Sequence, residues 1–267
     1  MKWSIRRVEI VAAGVVLVLL LVWMGSAAVW SGRGDAMGEK RREEEVLRGQ
    51  IPNRMDLARG LLGGTEKEYR YYTGRERGVK REPGEIVVAI DPGHGGADDG
   101  CVRRGVKEKD VNLEIAKKVQ SKLLGMGYQA VLVREEDEFM TLSKRVKAAK
   151  RVHADVYVSI HQNSSDISKA KGVEAYYSGQ FAKEDSQRLA ELLHEQVLLA
   201  TGANKRSIYE REEFHVIRES VMPSCLIETG FLTNVSERQQ LADDSYQEKV
   251  ADGIASGIDL YFQPEAE

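Results

Sequence analysis

Four residues carry the side-chain types that metal-assisted hydrolysis needs: His94, Glu108, His161 and Glu228. Their surroundings are Asp91-Pro92-Gly93-His94-Gly95-Gly96, Gly105-Val106-Lys107-Glu108-Lys109-Asp110, Ser159-Ile160-His161-Gln162-Asn163 and Glu228-Thr229-Gly230-Phe231. Imidazole nitrogens and carboxylate oxygens are zinc donors. A catalytic zinc takes three of them, keeps a fourth position for water, and leaves a spare carboxylate to move the proton. Residue type and position do not choose which glutamate is donor and which is proton carrier. Each residue alone also has a plainer use. A single His after a strand is commonly a hydrogen-bonded surface group, and a Glu opening a helix is favoured by the helix dipole. Glu228 is harder to dismiss, because it follows the apolar run Ser224–Ile227 and carboxylates are rarely buried unpaired. Gly93, Gly95 and Gly96 suit a backbone that approaches a ligand closely. A phosphate cradle would use similar glycines, but no Gly-Lys-Ser/Thr follows and no helix opens directly.

These residues act together only if the elements bearing them converge. Strand-like runs cover Ile86–Ile90, Ala130–Val133, Asp155–Ile160, Val173–Tyr177, Phe214–Ile217 and Ser224–Ile227. Helical spacing links Val111, Ile115, Val119 and Leu123, with Gly125 and Gly127 as stops. Further helices are predicted over Leu142–Val152, over Ala182–Leu199, and along Tyr246, Val250, Ile254 and Ile258. Alternating strands and helices predict an α/β fold with a mostly parallel sheet. In such sheets ligands bind beyond the carboxyl ends of the strands, where the four residues fall.

The chain divides into three regions: an N-terminal segment (1–31), a charged linker (32–84) and a catalytic body (85–267). Ile10 to Trp30 runs without a charge behind Lys2, Arg6 and Arg7. A stretch of roughly 20 apolar residues crosses a bilayer as a helix. We read it as a retained anchor with the body outside the cytoplasm; the alternative is a secretory signal cleaved beside Ser26, Ala27 and Ala28. Residues 32–84 are dense in Arg, Lys, Glu and Gly and read as a tether. With 39 Lys+Arg against 42 Asp+Glu, the chain lacks the cationic excess of a nucleic-acid binder. Two cysteines cannot staple a disulfide scaffold.

From Ile86 to Phe262 the body resembles the zinc-dependent N-acetylmuramoyl-L-alanine amidases of the third amidase type. The resemblance rests on Asp91–Gly96 with Asp98 and Gly100, on Glu108-Lys109-Asp110 with Asn112-Leu113, and on Leu142 and Arg145. It continues through Ala154-Asp155, Ser159-Ile160-His161 and Asn163, then Pro223 and Glu228 through Asn234. It implies a six-stranded sheet flanked by helices, a zinc ion held by His94, Glu108 and His161, Glu228 as the catalytic carboxylate, and peptidoglycan as substrate. Departures are Cys101 where Ala is usual, Lys150 where Asn is common, and His215, read as a rim histidine, at an aromatic or aliphatic position. A Cys101–Cys225 bond is open but not implied. The short segment Ser164–Gly172 has no room for the helical insertion that blocks the cleft in some relatives.

One membrane segment, one body and no wall-binding repeat resemble the germination-specific, CwlD-like amidases of spore formers, which act on cortex peptidoglycan. A vegetative autolysin is the nearest alternative. A zinc peptidase cutting the stem peptide, and a wall-binding module without activity, stand further off; the latter would be expected to have lost Glu228 or a ligand. Neither the sequence nor the resemblance assigns a protein partner.

Overall fold

A computed structural model describes residues 83–264. The segment Ile10–Trp30 and the linker to residue 82 lie outside the described residues. Among the described residues no helix is long and apolar enough to cross a membrane.

Strand β1 (Val87–Pro92) is followed by a small hairpin, β2 (Val102–Arg103) with β3 (Val106–Lys107), and by helix α1 (Glu108–Gly125). Then come β4 (Gln129–Leu132), α2 (Leu142–Arg151), β5 (Val156–Asn163), β6 (Val173–Tyr177) and α3 (Lys183–Thr201). The chain closes with β7 (Lys205–Glu210), a helical turn α4 (His215–Arg218), β8 (Ser224–Phe231), α5 (Val235–Leu241) and α6 (Asp244–Phe262). Six strands form one sheet in the order β4-β1-β5-β8-β6-β7. All neighbours are parallel except β6 and β8. The expected α/β architecture is present.

The two faces of the sheet are covered unequally. One packs Val88, Ile90, Val156, Val158 and Ile160 against the apolar stripes of α1, α3 and α6. The other packs Ala89, Tyr157 and Leu226 beneath α2 and α4 in a smaller cluster. His161 and Glu228 are register partners and project from this second face, beyond its core. Helix ends are fixed locally: Thr141 caps α2 through the Lys144 amide, Asn234 caps α5 through Ser236 and Glu237, and Asp243 caps α6 through Tyr246.

Three local expectations change. Phe214–Ile217 is not a strand; Phe214 precedes the helical turn α4. Val216 and Ile217 are both buried, in the smaller cluster beneath the sheet. Conversely, Lys205–Glu210 is a strand that the sequence pattern hides, because this edge strand has no fully buried residue and carries no apolar alternation. Finally, His161 and Glu228 lie inside β5 and β8, not in loops after them.

Helices α3 and α6 approach closely along Gly253 and Gly257. A Cβ on Gly253 would lie 2.5 Å from the Val197 Cα, and one on Gly257 2.9 Å from the Leu193 Cα. Alanine is the better helix former by about 1 kcal/mol. Steric overlap with a packed backbone outweighs that gain, typically by about 1–3 kcal/mol of overpacking. Gly253→Ala is therefore expected to lower the urea midpoint of unfolding; a raised midpoint would show that the helices separate at little cost.

Candidate active site

β1 ends at Pro92, and the Gly93 amide donates to the Ile160 carbonyl, which carries the pairing one residue further. His94 then turns into a positive φ of 62°. Such a conformation costs about 1–3 kcal/mol in a residue other than glycine and persists only when its surroundings determine it. Two buried arginines do so here. Arg145 pairs with Asp91 at 2.7 Å and donates to the carbonyls of Pro92 and His94. Arg134 donates to the carbonyls of Pro92 (2.9 Å), Gly93 (3.1 Å) and Lys109 (2.8 Å), tying the His94 turn to the first turn of α1. Lys109 and Asp137 hold both backbone groups of Gly96. Arg145, singled out in the sequence, is thus committed to the backbone rather than free for substrate.

His94, Glu108 and His161 come together, with one donor atom from each within 4.8 Å of the others. Glu108 Oε1 lies 3.1 Å from His94 Nε2 and 3.0 Å from His161 Nδ1, while Oε2 accepts from the Cys101 amide at 2.9 Å. Asp98 bonds the far nitrogen of His94, Nδ1, at 2.8 Å and so orients the ring with Nε2 toward the cluster. Burial works against a charged Glu108, but hydrogen bonds from His161 and His94 outweigh it and hold the carboxyl well below its usual range. Burial likewise opposes a charged His94; Glu108 and then Asp98 overcome it and raise the imidazole.

Glu228 stands beside this cluster, in register with His161 on β5 and with Glu174 on β6. Its Oε2 is buried without a hydrogen-bond partner. Burial, then the charges of Glu108 and Glu174, push its carboxyl well above the usual range. Glu174 is ligated on both oxygens, by Arg206 on one and by Asn163 and Tyr176 on the other. Two adjacent carboxylates are therefore treated oppositely: one is saturated, and the other keeps an open oxygen.

The remaining sequence candidates are accounted for. Asn163 donates to Glu174 at 2.6 Å. His215 lies against Ser143 and Arg218. Cys101 and Cys225 are both free, and burial pushes the Cys225 thiol up to about 12. Residues 164–172 contain no helix, as their length requires. Arg134 and Glu174 escaped sequence reasoning. Glu174 sits within the apolar run Val173–Tyr177 and carries the same signal, a carboxylate in a buried strand, that marked Glu228.

Residues 88–259 match the Amidase_3 family of N-acetylmuramoyl-L-alanine amidases, and the chain belongs to that family. The catalytic domain of CwlV, an N-acetylmuramoyl-L-alanine amidase from Bacillus (Paenibacillus) polymyxa var. colistinus, is 43% identical with a TM-score of 0.62. That likeness covers 66% of this chain and 97% of the solved one. The amidase LytC of Bacillus subtilis is 40% identical over 66% of this chain, which spans only 36% of LytC. The germination-specific amidase of the same organism is 32% identical over 66% of this chain and 79% of its own length. The activity is accordingly that of a peptidoglycan N-acetylmuramoyl-L-alanine amidase, cleaving the amide between the lactyl group of N-acetylmuramic acid and L-alanine.

Gly93 tests how tightly the cluster is built. A Cβ there would lie 2.2 Å from His161 Cε1 and 2.3 Å from its Nε2. Gly93→Ala must displace that ring, and misplacement by about 1 Å costs about 10²-fold in rate. Amidase assays on isolated peptidoglycan should show a loss of that order; wild-type turnover would place His161 outside the chemistry.

Proposed function

We propose that His94, Glu108 and His161 hold a catalytic zinc ion and that Glu228 is the proton carrier. The observation that carries this reading is the donor set itself: two imidazoles and one carboxylate converge, with one lone carboxylate oxygen beside them. Three such donors with a position left open are what a catalytic zinc takes, and two imidazoles with one carboxylate suit zinc by ligand type. When bound, zinc supplies Lewis acidity that lowers the pKa of water from about 15.7 to about 7. Glu228 Oε2, having no protein donor to satisfy, takes the proton of the attacking water. Its carboxyl then returns that proton to the departing alanine nitrogen. Asp98 keeps the His94 ring in one orientation throughout.

Two variants separate holding the metal from moving the proton. His94→Ala should lower zinc content measured by elemental analysis, and unchanged occupancy would remove it as a ligand. Glu228→Gln keeps the shape but cannot accept a proton. It should retain zinc and lose hydrolysis by about 10²–10⁴-fold; near-normal turnover would end the role assigned to it.

The domain division into 1–31, 32–84 and 85–267 goes with a membrane-anchored localisation and an extracytoplasmic body. Its support is the uncharged span Ile10–Trp30 and the family's peptidoglycan substrate, which lies outside the membrane. An anchor confines the enzyme near its substrate without any new contact. Membrane fractions should hold the full-length chain with its catalytic body accessible to external protease; a mature N-terminus near Ala28 in soluble extracytoplasmic fractions would make the span a signal peptide.

The biological setting proposed is spore cortex maturation and germination. It is supported by the likeness to the germination-specific amidase, 32% identical over 66% of this chain. The vegetative alternative draws on a different observation, the higher identity to LytC. Deleting the gene should deplete muramic δ-lactam from spore cortex and spare vegetative cell separation. The opposite pattern would favour the vegetative setting.

A further inference from the structure

Beneath the site, on the sheet face opposite His161 and Glu228, a chain of buried polar side chains crosses all four segments that carry site residues. Asn112 Nδ2 donates to the Gly93 carbonyl at 3.2 Å and lies 3.5 Å from Glu108 Oε1. Its Oδ1 accepts from Gln162 Nε2 at 3.2 Å, and Gln162 Oε1 accepts from the Thr229 hydroxyl at 2.7 Å. The Gln162 backbone amide also donates to Glu108 Oε1 at 3.2 Å. Asn112, Gln162 and Thr229 are 0%, 2% and 0% exposed, so no solvent substitutes for a lost link. Both amides have one orientation in which each donor faces an acceptor. Turning Asn112 over would set its oxygen against the Gly93 carbonyl and its nitrogen against the Gln162 amide nitrogen.

The chain also spans an irregularity. Between β5 and β8 the register runs from His161–Glu228 to Asn163–Phe231, so Thr229 and Gly230 oppose Gln162 alone. Bulges of this kind re-aim neighbouring side chains and are common beside active sites. Gln162 and Thr229 bond across it. Hence the residues that flank the bulge are clamped to each other and, through Asn112, to the turn before His94.

Resting on the zinc reading above, we infer that Asn112, Gln162 and Thr229 are positioning residues: their hydrogen-bonded chain fixes His94, Glu108, His161 and Glu228 relative to one another, so that the metal meets a preformed donor set. None of the three touches substrate or accepts a proton in the reaction. Groups that orient metal ligands in this indirect way typically matter by about 10–100-fold in metal affinity or activity.

The test compares Gln162→Leu, Thr229→Val and Thr229→Ser with the wild-type protein in three measurements. These are zinc affinity by chelator competition, kcat and KM on peptidoglycan fragments, and thermal unfolding of the metal-free protein. Gln162→Leu severs the chain on both sides and is expected to weaken zinc binding by about 10–100-fold and lower kcat with little change in KM. Thr229→Val removes one hydroxyl at constant shape and is expected to move the same two quantities in the same direction. Thr229→Ser restores the hydroxyl and should restore both. Should Gln162→Leu fail to fold, the Val/Ser pair at 229 carries the comparison. Wild-type zinc affinity and kcat in folded Thr229→Val, with only the melting temperature lowered, would overturn the inference and leave the chain a stabilising feature. Failure of the wild type itself to bind zinc would instead overturn the metal reading, and the two failures are thereby distinguished.

Discussion

The structure is organised around a carboxylate in an almost dry place. Glu108 is 5% exposed, and an ionised carboxylate left unpaired at that depth would cost several kcal/mol. It is tolerated because backbone amides donate to both oxygens, Gln162 at Oε1 and Cys101 at Oε2, and the His94 and His161 rings lie against Oε1. Each contact imposes a condition on the chain. Helix α1 must begin at Glu108, so the β2–β3 hairpin delivers it there and its first-turn position adds a favourable helix dipole. His161 must project from within a buried strand with its ring against a glycine. His94 must adopt a backbone conformation that it would not hold alone, which explains why buried arginines are spent on the carbonyls of its turn. The guanidinium is suited to this use, since its planar fork of donors stays charged at any physiological pH.

The opposite treatment of Glu228 and Glu174 follows from the same economy of partners. They are register neighbours on one face, and each lies beside the other's charge. Arg206, Asn163 and Tyr176 all serve Glu174, and none serves Glu228 Oε2. Pairs of carboxylates whose surroundings are pushed apart in this way can divide the work of an active site: the saturated member stays fixed while the open one exchanges a proton. Arg206 gains a second support by lying over the Phe231 ring at 5.1 Å, so the arrangement is braced from the end of β8 as well.

Much of this was legible in the sequence, where periodicity was strong. The 3.6-residue spacing of Val111, Ile115, Val119 and Leu123 and the apolar runs of β1, β5 and β8 are consequences of burial, and burial leaves a pattern. That His94, Glu108 and His161 meet, with Glu228 beside them, was legible because the ends of those runs are where such sheets bind ligands. What escaped had no pattern to show. β7 has no fully buried residue, and α4 presents two consecutive buried residues that resemble a strand when read alone. Arg134 looked like an ordinary charge after a strand; its acceptors at Pro92, Gly93 and Lys109 lie far from it in sequence and meet it only in the fold. The role of Asn112 was hidden for the same reason, although the residue itself lay inside a recognised motif.

One topological choice accounts for how the second carboxylate reaches the site at all. In a sheet of purely parallel strands, the amino-terminal residues of every strand lie at the edge away from the ligand. Here β6 runs antiparallel to β8, so its first residues sit beside the carboxyl-terminal half of β8. Glu174, the second residue of β6, therefore pairs with Glu228. The reversal also dispenses with a crossover helix between β5 and β6, because a chain turning back needs only a loop. Residues 164–172 are that loop, and they return past the end of β8 without adding an element over the site. A parallel β6 would require a dozen or more connecting residues and would carry Glu174 to the opposite edge. The reversed strand thus settles two features together: a carboxylate neighbour for Glu228, and a short connection beside the candidate site.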